Sequence, residues 1–156
     1  MSEQQYTTFY LDDMLFGIDI MRVREINPHL DITTVHKVPD YVRGLINLRG
    51  RIVTVLDLGV RLGLEPRNIA DSSRSIVLKT RDELGQHMDE KKIGESTSND
   101  VVGLLVDRIG DVVSVDSAEV EMPPANMGDI NSQYISGVIK LEGELLSIIK
   151  INQVCQ

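Results

Sequence analysis

The 156-residue chain has no tryptophan, two phenylalanines and a single cysteine, and each scarcity removes a class of function. Aromatic residues make up 4% of it, too few to lay out the stacking platforms on which single-stranded nucleic acids bind. Cations are short as well: 16 Lys and Arg face 24 Asp and Glu, for a net charge of -8. No local basic cluster offsets that balance, which argues against binding to a phosphate backbone. Cys155 alone excludes an intramolecular disulfide and suits a reducing compartment. Next to the terminus, it is not expected to have the folded, electropositive surroundings that a nucleophilic thiol needs. No window approaches the roughly 20 apolar residues that cross a bilayer, and the polar start MSEQQYTT carries no signal-like hydrophobic stretch. The expectation is a soluble cytoplasmic protein with protein partners, no nucleic acid and no segment inserted in the membrane.

Catalytic constellations are missing too. His29, His36 and His87 lie in unrelated local contexts, without helical i, i+4 spacing or a neighbouring Cys ligand, so no metal site is expected. Gly44, Gly50, Gly59 and Gly63 match neither a phosphate-binding loop nor a dinucleotide fingerprint, so no cofactor is expected. Asp12 and Asp13, and Asp57 with Asp107, read as solvated turn and strand-end charges.

What the chain does contain is a duplication. Residues 44–58, GLINLRGRIVTVLDL, recur at 137–151 as GVIKLEGELLSIIKI, so that Gly44, Ile46, Leu48 and Gly50 fall on Gly137, Ile139, Leu141 and Gly143, 93 residues later. Residues 16–26, FGIDIMRVREI, answer 102–112, VGLLVDRIGDV, pairing Gly17 with Gly103, Val23 with Ile109 and Glu25 with Asp111 at an offset of 86. Two copies in the same order imply two similar lobes.

Alternation at Phe16, Ile18 and Ile20 after the apolar stretch 6–11 predicts a hairpin across Asp12-Asp13. Residues 21–26 continue as strand; 32–38 form a further strand stopped by Pro39; 40–43 form a helical turn opened by Asp40 and closed by Gly44. Residues 45–48 and 52–56 flank Arg49-Gly50, a two-residue hairpin link. A short helix is expected over 57–64, then strands at 76–78, 101–106 and 109–115. The polar run 81–100, RDELGQHMDEKKIGESTSND, reads as a mobile loop, and 121–129 with its Pro123-Pro124 as irregular. Many short strands, few helices and a repeated plan point to an all-β protein, a single domain over 1–156 made of two small antiparallel barrels packed on an aliphatic core.

FGIDIMRVREI, HKVPDYVRGLINLRGRIVTVLDL, VVGLLVDRIGDVVSV and YISGVIKLEGELLSIIKI together resemble the CheW family of bacterial chemotaxis coupling proteins over nearly the whole chain. The resemblance implies two five-stranded SH3-like barrels around a shared apolar core. It implies a non-catalytic adaptor at membrane-bound receptor clusters, joining the cytoplasmic tips of methyl-accepting chemoreceptors to the histidine kinase CheA. The kinase's regulatory domain would meet a barrel end, and the receptor's helical hairpin would lie between the lobes. Val23, Glu25, Arg49, Gly103, Ile109 and Val112 match positions linked to coupling, with Glu25 and Arg49 resembling a family ion pair. Val23, Ile109 and Val112 equally suit core positions, and Gly103 equally suits a close strand approach. Related coupling proteins of surface motility and other receptor pathways fit the same motifs. From a different class, a small-ligand-binding β-barrel remains open.

Overall fold

In a computed structural model of the chain, residues 3–80 and 101–155 are described. Strands β1 (Glu3–Leu11) and β2 (Met14–Asp19) form the first hairpin, turning through Asp12 at φ 55°. A 3-10 turn, Ile20–Arg22, is capped by Asp19, whose Oδ1 accepts from the Met21 N–H at 2.9 Å. Then come β3 (Val23–Asn27), β4 (Val42–Leu48) and β5 (Arg51–Asp57). Arg49 at φ 52° and Gly50 at φ 83° make the tight link between β4 and β5, both left-handed, as a turn matching strand twist requires. Helix α1 (Leu58–Leu62) starts on Asp57 and stops at Gly63, φ 105°, the left-handed closure that glycine favours. The second half holds β6 (Arg74–Leu78), β7 (Val102–Val106), β8 (Arg108–Asp116), β9 (Ile135–Leu141), β10 (Glu144–Ile149) and α2 (Ile151–Val154).

The strands form two five-stranded, barrel-like sheets, ordered β8-β1-β2-β10-β9 and β3-β6-β7-β5-β4. The second order is the first with every strand replaced by its repeat counterpart. Even the registers agree: Val55 lies beside Gly103 in one parallel pair, and Ile148 beside Gly17 in the other. The copies, however, are not the lobes. Each sheet takes two strands from one copy and three from the other. Short links force this exchange. Within a single copy β2 and β3 would flank β1 as parallel strands, which needs a crossover of about a dozen residues or more. Only Ile20–Arg22 separates them, and only Asp107 separates β7 from β8, so each chain end runs straight into the neighbouring sheet.

Strand alternation divides the apolar side chains between a shared core and two smaller ones. Phe9, Leu11, Phe16 and Ile18 from one sheet meet Ile76, Leu78, Leu104 and Val106 from the other. On the opposite faces of those strands, Tyr6 and Leu15 join Leu146 of β10 to fill the first barrel, and Val77 and Leu105 join Val53 of β5 to fill the second. Each fully buried side chain of this kind contributes about 1.5–3 kcal/mol before chain entropy is counted.

Two expected elements are not there. Residues 32–38 form no strand: Thr33 makes one two-way bridge to Leu45, at 2.8 and 2.9 Å, before Lys37 at φ 61° and Pro39 turn the chain away. Residues 40–43 form no helical turn: a single tight turn, closed by the Val42 N–H on the Pro39 carbonyl at 3.0 Å, leads straight into β4 at Val42. Gly44 is instead a bulge at φ 148°, where a Cβ would strike the Thr33 carbonyl. The polar stretch 81–100 lies outside the described residues.

Candidate functional site

Glu25 and Arg49 meet. β3 lies at one edge of its sheet and β4 at the other. The tight β4–β5 link carries Arg49 over to Glu25, where the two form an ion pair across a shallow hollow that Arg24, Leu48, Arg51 and Val53 complete. The Asn47 side chain accepts from the Gly50 N–H at 2.9 Å and holds the link in shape. The Arg49 side chain is 66% exposed and that of Glu25 26%. A pair this open is worth about 0.2–1 kcal/mol of stability, so folding does not depend on it.

The other candidate positions divide. Val23 and Ile109 are counterparts on the edge strands β3 and β8, each half-buried against the shared core from its own sheet. Val112, farther along β8, is 54% exposed and available to a partner. Gly103 is not. It is buried in β7, where a Cβ would strike Ser75 Oγ and come within 3.3 Å of Val53; its counterpart Gly17 is crowded in the same way by Tyr6 and Leu146. The geometry makes these glycines spacers inside the barrels, not contact points. The six positions are thus one ion pair, two half-buried core aliphatics, one exposed valine and one internal glycine.

Two clusters at the lobe junction hold none of these six positions. Asp57 is fully buried and Arg67 is 6% exposed. The Asp57 carboxylate accepts from the Val60 N–H at 3.2 Å, the Arg67 N–H at 2.8 Å and Arg43 at 3.2 Å. The Arg67 guanidinium continues to Asp12 at 2.9 Å and Asp107 at 3.0 Å. Reading these aspartates as solvated charge is therefore incorrect for Asp57, which is buried against Arg43, and for Asp12 and Asp107, which share the Arg67 guanidinium. Asp57 preceding an apolar helix is a cap signal legible in the sequence; Arg67, 10 and 40 residues from its acidic partners, leaves none. In the second cluster Arg61 lies 4.4 Å from the ring of Tyr41 and 5.0 Å from that of Tyr134, the two counterpart tyrosines. Its guanidinium donates to the carbonyls of Val154 and Gln153 at 3.0 and 3.1 Å, pinning α2 to α1.

Nothing activates the thiol. Burial pushes Cys155 up to about 11, against a lesser pull downward from Arg22 and Arg61. Alkylation of the native protein by iodoacetamide at pH 8 should run at least tenfold slower than in urea, followed by mass spectrometry. Since the folded value lies above the unfolded one, this group's contribution to stability is complete below about pH 9 and fades as the pH rises towards 11.

Among the described residues no helix is long and apolar enough to cross a membrane. The CheW-like domain model matches residues 5–156. The chemotaxis protein CheW of Treponema pallidum is 31% identical over 150 residues, covering 96% of this chain and 80% of that protein. Its namesake in Bacillus subtilis is 30% identical over 151 residues, covering 97% and 86%. The crystal structure of the scaffolding protein TtCheW from Thermoanaerobacter tengcongensis superposes with a TM-score of 0.80 at 27% identity, covering 100% of this chain and 90% of that one. With its paired five-stranded sheets, exchanged repeat strands and a family match along almost its full length, this chain belongs to the CheW-like domain family.

Proposed function

We propose that this chain is a chemotaxis coupling adaptor that holds the cytoplasmic tips of chemoreceptors beside the histidine kinase CheA and turns over no substrate. The observation that carries the reading is the exposed Glu25–Arg49 pair at the motif positions of the family, on a barrel whose folding does not need it. Val112 adds apolar surface on the edge strand of the other barrel. Val23 and Ile109 pack from the edge strands β3 and β8 against the shared core. The kinase's regulatory domain docks on a barrel end, and the receptor hairpin lies between the lobes. The protein works in the cytoplasm, recruited to receptor clusters.

Arg49→Glu places two acids where the ion pair stands. The variant should keep its thermal unfolding midpoint within a few degrees, since an exposed pair is worth at most about 1 kcal/mol. Its affinity for receptor tip or kinase regulatory domain should fall at least tenfold. Calorimetric titration of each partner checks this; unchanged binding of both by the folded variant would remove the pair from the docking surface.

A further inference from the structure

The duplicated β4–β5 and β9–β10 hairpins end in tips of similar plan and opposite charge. Leu48-Arg49-Gly50-Arg51-Ile52 answers Leu141-Glu142-Gly143-Glu144-Leu145. Both glycines are left-handed, at φ 83° and 79°, and both final aliphatics face solvent, Ile52 at 55% and Leu145 at 41% exposure. The acidic balance of the whole chain is common to both tips, so the carboxylates of the second are a local feature.

Beside the acidic tip lies a hollow of about 370 Å³, a size that admits a side chain with its flanking backbone. Its floor is core, Phe16 and Ile130. Its walls are not: Met14 at the start of β2, Met127 in the stretch 121–130, and Leu145 on β10 are half-buried or exposed. That stretch is held at both ends, by two backbone bonds between Glu121 and Val138 at 2.8 and 2.9 Å and by the Asn131 N–H on the Leu62 carbonyl at 2.9 Å. The supports are fixed, while the two unbranched thioethers adjust to the shape of what enters. At the rim stand Asp13 and Glu144, with no Lys, Arg or His among the lining residues. The Tyr10 O–H donates to Glu144 Oε1 at 3.0 Å. Neither acid is in an ion pair among the described residues.

We infer that this hollow is a docking site for a short segment of a partner protein, with an apolar side chain between Met14, Met127 and Leu145 and a neighbouring Lys or Arg against Asp13 and Glu144. The apolar walls supply contact area, and the two carboxylates select the sign and direction of the segment. The hollow belongs to the barrel that does not carry the Glu25–Arg49 pair, so the inference is independent of that surface.

Asp13 and Glu144 are exposed, so the double variant Asp13→Lys/Glu144→Lys keeps the fold, as circular dichroism should show. Random nonapeptides displayed on phage are selected on the wild-type protein and depleted on this variant, and the survivors are synthesised with a fluorescein label. Survivors should carry Leu, Ile, Met or Phe with a Lys or Arg one or two positions away. Their binding should weaken steadily with added salt and fall at least fivefold in Leu145→Ser, which keeps both acids. Amide shifts in the wild type should centre on Met14, Asn126, Met127 and Leu145. An absence of survivors, survivors without a basic residue, a smaller loss in Leu145→Ser, or shifts centred elsewhere would each overturn the assignment.

Discussion

Asp57→Ala should destabilise the protein by about 3–5 kcal/mol, the usual cost of removing one partner from a buried charge network. One carboxylate serves three donors on separate segments: the first turn of α1, the backbone of the 63–73 connection, and Arg43 on β4. Alanine takes the acceptor from the Val60 and Arg67 amides, while Arg43, 28% exposed, keeps the Arg67 carbonyl at 2.7 Å. The loss of the cap alone accounts for about 0.5–2 kcal/mol, and the orphaned Arg67 amide with the lost Arg43 ion pair for the rest. Against a total stability of about 5–15 kcal/mol for an ordinary domain, such a variant is marginal at 37 °C. Urea unfolding followed by circular dichroism reads the effect as a lower midpoint at unchanged slope. Asp13→Ala, on the exposed β1–β2 turn, is the control and should stay within about 0.5 kcal/mol. A loss below about 1 kcal/mol for Asp57→Ala would mean that the junction relaxes without it.

Gly103→Ala is expected to be nearly as damaging, and its remedy is specific. The new methyl would collide with Ser75 Oγ, a buried hydroxyl that has no hydrogen-bond partner. Overpacking of this kind costs about 1–3 kcal/mol. In a Ser75→Ala background the obstructing atom is gone, leaving Val53 at 3.3 Å and the residue 75 Cβ at 3.6 Å, so most of the loss should be recovered. Ser75→Ala by itself should stabilise the protein by about 1 kcal/mol, since it removes a buried polar group that bonds to nothing. The four proteins make a double-mutant cycle whose coupling term measures the contact. If Gly103→Ala folded with full stability and lost partner binding, Gly103 would be a contact residue after all. Additive effects with no recovery would place the strain elsewhere.

The candidate site was legible in part. Glu25 and Arg49 are singled out by the family resemblance of the runs MRVREI and NLRG, and the structure joins them in an ion pair. Gly103 stood out for the same kind of reason, yet its sequence context is identical whether a glycine makes room for a partner or for Ser75. Periodicity says that a strand has two faces; it does not say which neighbour presses on each. Val23 and Val112 show the same ambiguity, one half-buried in the core and the other half in solvent. Arg67 was invisible, because an arginine in a Pro-containing connection has no local feature that separates it from a solvated one.

Hairpins, the turns at Asp12 and Arg49-Gly50, the short helix after Asp57 and the existence of two equivalent units were all determined by the sequence alone. These are local matters: alternation, turn chemistry and capping act over a few residues, and the duplication is visible as repetition. Which copy's strands pair with which was decided only in the tertiary structure. Two copies with the same apolar pattern offer the same contacts to each other as to themselves, so pattern cannot choose between exchanged and separate barrels. The choice falls to the links, three residues at Ile20–Arg22 and one at Asp107, too short to return a parallel strand to its own sheet. From that exchange follow the shared core and the burial of Asp57 and Arg67 at the junction.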